Sequence, residues 1–137
     1  MTDVGGLTPI EAAGRLASLS PMTVAALDRW KAQRWDEGEP AYGAFRAIGS
    51  VIASKRAPPS AAEMKALFAF ADRLLAQGSG DVSNMVATCM LEQICTAAHE
   101  SGFDFSTVDR HLGPEARRYL LAWDKFNDRK MPGLAIR

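Results

Sequence analysis

Apolar residues along this chain recur mostly three and four positions apart, the spacing of amphipathic helices. The stretch Val82–Ser101 is the most apolar. Val82, Met85, Val86, Cys89, Met90, Ile94, Cys95 and Ala98 form a broad stripe, with Leu91 and Ala97 off it, and only Glu92 and Glu100 carry full charge. A helix apolar around most of its circumference is buried by neighbours on several sides. We therefore expect an all-α, single-domain bundle of five to six helices around a central buried helix at about residues 82–101.

The flanking segments supply those neighbours. Thr8-Pro9-Ile10-Glu11 is a capping box with proline at the first helical position, followed by Ile10, Ala13, Leu16 and Ala17 on one face. Ser20-Pro21 opens a second helix with Val24, Leu27 and Trp30 in register. After the break at Gly38 and Pro40, a third carries Ala41, Phe45, Ile48, Val51 and Ile52. Gly43 and Gly49 inside it mark a weak helix or a close crossing. Ser60–Glu63 is a second capping box, and Met64, Leu67, Phe68, Ala71, Leu74 and Leu75 follow as a clean stripe. The short link through Gly78 makes this helix an antiparallel neighbour of the central one, capped by Asp81 or Ser83. Phe103 and Phe105 are expected to tuck into the core. Gly113-Pro114 begins a last helix with Ala116, Tyr119, Leu120, Trp123 and Phe126. No run of β-branched residues alternates with period two. One domain covers residues 1–137, with residues 1–6 and 130–137 expected to be flexible tails.

Charge narrows the function classes. Sixteen basic residues balance sixteen acidic ones, which argues against a nucleic-acid partner, since phosphate binding normally leaves a basic excess. No stretch is long and apolar enough to span a membrane. Cys89 and Cys95 lie on different faces of one helix, too far apart for a disulfide, as expected of buried thiols in a reducing compartment. Met1–Gly6 has no basic region leading into an apolar run, so no secretory signal is expected. These features predict a cytoplasmic protein. Phosphate loops, dinucleotide-binding glycine motifs, nucleophile elbows and paired zinc ligands are absent from the sequence, which predicts no cofactor, no metal and no enzymatic activity.

Four constellations can carry chemistry. Glu92, Cys95 and His99 share one side of the central helix, the arrangement a small metal site or a thiol enzyme would use. The apolar surround of Cys95 and the helix C-terminus near His99 favour a structural role. Asp109-Arg110-His111 places an acid two residues from an imidazole, and reads most simply as a polar turn. Arg110, Arg117 and Arg118 around Gly113-Pro114 would suit a helix-turn-helix DNA-binding regulator, but Glu115, Asp124 and Asp128 share that helix. The fourth is Trp35, Asp36, Glu37, Glu39 and Tyr42, an acidic turn between two aromatics. Such a segment suits a protein–protein contact with a basic partner, and these five residues are the expected partner-binding site. The three tryptophans and the helix-face alanines also permit a homodimer.

In the C-terminal half, ATCMLEQI is followed by FDFSTVDRHLGPEARRYLLAWDKF. With Leu91-Glu92 in the central helix and Leu112-Gly113-Pro114 before an aromatic helix, residues 81–126 resemble the small helical immunity proteins encoded beside secreted bacterial toxins in polymorphic-toxin and type VI secretion loci. The resemblance implies a non-enzymatic protein that binds a secreted toxin domain tightly and blocks its active site or substrate access. That group has no shared binding motif, so no residue role is carried over.

Overall fold

The computed structural model describes residues 3–33 and 41–136. Among them there are six helices, counting residues 80–100 as one, and no strands. A 3-10 turn at Val4–Gly6 leads into α1 (Pro9–Ala17), α2 (Pro21–Gln33), α3 (Tyr42–Ile52) and α4 (Ala61–Gln77). The central helix consists of α5 (Gly80–Met85), a π-helical stretch Val86–Leu91 and α6 (Glu92–Glu100). Two 3-10 turns, Phe105–Thr107 and Asp109–His111, precede α7 (Pro114–Phe126).

Both capping boxes form. The Glu11 amide donates to Thr8 Oγ1 (3.2 Å) and the Thr8 amide to Glu11 Oε1 (2.9 Å); Ser60 and Glu63 repeat the exchange at the start of α4. Glu63 Oε1 also accepts from Ser20 Oγ at 3.2 Å, which ties the first turn of α2 to that of α4. The Thr23 hydroxyl donates to the Ala17 carbonyl at 2.6 Å and closes the α1–α2 corner.

The central helix is enclosed as its composition predicts. α3, α4 and α7 all contact the Val86–Leu91 stretch, and Leu91, off the simple stripe, is fully buried with it. One reason is the π geometry, which turns residues by a smaller angle than an α-helix and shifts which side chains point inward. A second is Gly49: a Cβ there would lie 2.6 Å from the Met90 carbonyl oxygen. Gly43 serves the same end against the Trp30 indole, so both glycines of α3 mark close crossings. The N-cap of the central helix is Ser79, whose hydroxyl accepts from the Val82 amide at 3.3 Å, in place of Asp81 or Ser83. Ser83 instead donates back to the Leu75 carbonyl of α4 at 3.0 Å.

Three expectations change. Ile10 and Val24 are exposed, and the buried faces are Ala12, Ala13, Leu16 and Ala17 on α1, and Thr23, Ala26 and Leu27 on α2. On both helices most of the buried residues are small. Phe126, counted with the aromatic face of α7, is 88% exposed. Finally, the chain ends, expected to be flexible tails, bury side chains where they are described. Val4 is buried at the N-terminal end, and Met131 and Leu134 are buried at the other. The Phe105 amide donates to the Pro132 carbonyl at 2.8 Å, which straps this segment over the Phe103–Phe105 loop.

Candidate functional site

Of the five residues in the expected partner-binding segment, Trp35, Asp36, Glu37 and Glu39 lie outside the described residues. Tyr42 opens α3 and is 43% exposed. It lines a pocket of about 380 Å³ between the start of α1, the start of α3 and α5, together with Thr8, Pro9, Ile10, Asp81 and Met85. Ile10, at the first turn of α1, is 37% exposed beside it. Asp81 supplies the charge in the lining. The arrangement is an apolar recess with one carboxylate on its rim, a shape that accepts an apolar anchor flanked by a cation. Of this lining, sequence reasoning named Tyr42 for the site and did not name Ile10, Asp81 or Met85 for it. Proline at the first helical position was the available signal for Ile10, since it marks a helix end where the bundle stops covering the chain.

The side of the central helix that Glu92, Cys95 and His99 share faces α7, but the three do not form a working set. Tyr119 lies beside Glu92 across the α6–α7 contact. Its pKa is raised, first by burial and then by the charge of Glu92. Cys95 is fully buried. Burial, followed by the charges of Asp124 and Glu92, pushes its thiol up to about 12. At neutral pH the thiolate would be about one part in 10⁵, far too little for a nucleophile. The His99 ring lies 4.7 Å from that of Trp123, tilted by 55°, and its Nδ1 is 3.1 Å from Arg129 Nη1. With Arg129 donating to Nδ1, the neutral ring carries its proton on Nε2, which is buried without a hydrogen-bond partner. Among the described residues no three His, Cys, Asp or Glu side chains converge as metal ligands.

The thiol has a measurable consequence. The Cys95 pKa is raised in the folded state, so its contribution to stability is complete below the unfolded thiol's pKa of about 9 and is lost as pH rises towards 12. Tyr119 acts with the same sign at higher pH. Urea midpoints measured from about pH 8 to about pH 11 should therefore fall, and Cys95→Ala should flatten the slope while lowering stability overall. A slope unchanged by the substitution would assign the alkaline loss to other groups.

The model of a family described as "Domain of unknown function (DUF7674)" matches residues 15–129. The chain belongs to the DUF7674 family. No curated protein and no solved structure matches it. The DUF7674 match takes in Tyr42, Asp81, Met85 and the whole Glu92–His99 row; Ile10 and residues 131–136 fall outside it.

In this DUF7674 chain the Asp109-Arg110-His111 turn is divided. Asp109 points inward, where its Oδ1 accepts from Arg117 Nη1 at 2.7 Å and from the Ala135 amide at 2.9 Å. Arg117 Nη2 donates to the Asp109 carbonyl at 2.6 Å, and Nη1 also reaches the Ala135 carbonyl at 2.8 Å. Both side chains are only 9% exposed. His111 sits instead with Arg110, whose Nε lies 3.4 Å from His111 Nε2; burial, then the charges of Arg110 and Lys65, lower the His111 pKa. The helix-turn-helix reading thus loses Arg117 to the interior, while Arg118 is engaged with Glu115 at 2.7 Å. A second link that sequence reasoning missed is Asp72 of α4, whose Oδ1 accepts from the Ala116 amide at 2.9 Å and caps α7 from across the bundle. Among the described residues no helix is long and apolar enough to cross a membrane.

Proposed function

We propose that this DUF7674 chain is a non-enzymatic, cytoplasmic binding protein of the immunity type, which holds a cognate toxin domain and blocks it. The observation that carries this reading is the recess at the α1–α3–α5 end, where Ile10 and Tyr42 expose apolar surface around Asp81. Aromatic side chains beside a small recess are the usual anchors of tight interfaces, and a rim carboxylate selects a basic partner. Tyr42 lies three positions after Glu39, the end of the acidic segment Trp35–Glu39, in sequence, which extends the same chemistry. The rival reading, a thiol or metal enzyme at Glu92, Cys95 and His99, is disfavoured by the protonated, buried state of Cys95.

The test is co-expression with the product of the adjacent open reading frame, followed by size-exclusion chromatography with light scattering. A stable heterocomplex is expected. Tyr42→Ala and Asp81→Lys should each weaken it by about tenfold or more, equivalent to about 1.4 kcal/mol. Trp35→Ala and Glu37→Lys extend the map into the preceding segment. If no complex forms with the neighbouring product, the immunity reading fails. If a complex forms and both the Tyr42 and Asp81 variants bind like the parent, the interface lies elsewhere.

A further inference from the structure

The outer edge of the α6–α7 contact has the make-up of a cation receptor. A pocket of about 560 Å³ is lined by Glu92, Tyr119, Ala122, Trp123, Phe126 and Asn127. Tyr119, Trp123 and Phe126 recur at helical spacing on one face of α7, and Ala122 between them leaves room. Three aromatic rings therefore border one space, with a single carboxylate across it on α6. Neither Lys nor Arg lines it. The pocket also sits at the last turns of α7, where the helix dipole places partial negative charge.

From this we infer that the pocket binds a quaternary ammonium group, held against Tyr119, Trp123 and Phe126 and balanced by the Glu92 carboxylate. The negative faces of aromatic rings attract cations, and cages of this kind select methylated ammonium groups. The choice of a methylated cation over a bare ammonium or guanidinium rests on hydrogen bonding. Those groups carry several N–H donors that need acceptors when desolvated. Here Glu92 is the one charged acceptor in the lining, and most of the remaining wall is ring and methyl. A trimethylammonium group spreads its charge over methyls and asks for no acceptor. Burial also raises the Tyr119 pKa, so this wall stays neutral at physiological pH. Phe126, 88% exposed, is the one wall free to close over a bound group. This site is separate from the Tyr42 recess, and its test does not depend on the proposed function.

The experiment is calorimetric titration of the full chain with choline chloride, with Trp fluorescence followed in parallel. Controls are dimethylbutanol, the uncharged carbon isostere of choline, and ammonium chloride. Choline should bind saturably, with dimethylbutanol and ammonium at least about tenfold weaker. Phe126→Ala, at an exposed position, should weaken choline by about three- to tenfold, and Phe126→Trp should restore or exceed the parent affinity. Glu92→Gln keeps the side-chain shape and removes the charge, so it should weaken choline without altering dimethylbutanol. A trimethyllysine peptide titrated alongside distinguishes a modified protein tail from a small molecule as the natural source: whichever binds more tightly names it. Equal affinity for choline and dimethylbutanol would reduce the pocket to an apolar recess and overturn the inference. No saturable binding by the folded protein, or binding unaffected by Phe126→Ala, would overturn it equally.

Discussion

Arg117→Ala should destabilise the protein by about 3–5 kcal/mol, a large share of the about 5–15 kcal/mol that holds a domain of this kind together. The cost does not come from the attraction of the ion pair alone. Arg117 donates to Asp109 Oδ1, to the Asp109 carbonyl and to the Ala135 carbonyl. Its removal takes these donors from a buried carboxylate and two carbonyls at once. Removing one member of a buried ion pair costs far more than removing both. The melting temperature should fall by roughly 10–20 °C. The double substitution Arg117→Leu with Asp109→Leu should recover much of the loss, because it removes the charge together with its partner. Thermal and urea unfolding of the three proteins decides the matter. An Arg117→Ala variant within about 1 kcal/mol of the parent would mean that solvent reaches the site.

The second large effect is expected at Gly49. A Cβ added there meets the Met90 carbonyl oxygen at 2.6 Å and Gln93 Cβ at 3.0 Å. The carbonyl is backbone and cannot swing aside, so α3 must move off the central helix. Gly49→Val should cost about 1–3 kcal/mol or more, as overpacked cores do. Gly14, inside α1, supplies the comparison, because nothing lies within 4 Å of a Cβ built there. Gly14→Ala should stabilise by about 0.5–1 kcal/mol through helix propensity and a less flexible unfolded chain. If chemical denaturation gave both substitutions the same sign, the close crossing at Gly49 would not be the cause.

What could be read from the sequence was what short range decides. The capping boxes at Thr8 and Ser60, the buried faces of α3 and α4, and the enclosure of residues 80–100 follow from residues a few positions apart. Which face of α1 and α2 turns inward depends on where neighbours exist, so Ile10 and Val24 were misplaced. The segment after Phe126 has no apolar period, because it is held by Asp109, Asp124 and Arg117 rather than by a stripe of its own. Its Met131 amide donates to both Asp124 carboxylate oxygens at 3.1 Å, a contact no spacing rule would propose. The candidate site divides in the same way. Tyr42 was legible as an aromatic beside an acidic turn. Ile10 and Asp81 join it only because α1 and α5 end at the same corner. The aromatic spacing on α7 was legible too, but as core, since only the fold shows that Phe126 is left outside.

The strap formed by residues 131–136 sets an order on folding during synthesis. Asp109 and Arg117 emerge from the ribosome before the segment that completes their hydrogen bonds, so a nascent chain of helices alone carries a half-finished charge network at its centre. The cooperative transition should therefore follow release of that segment, and a chain stalled before Ala135 should be open to protease where the finished protein is closed.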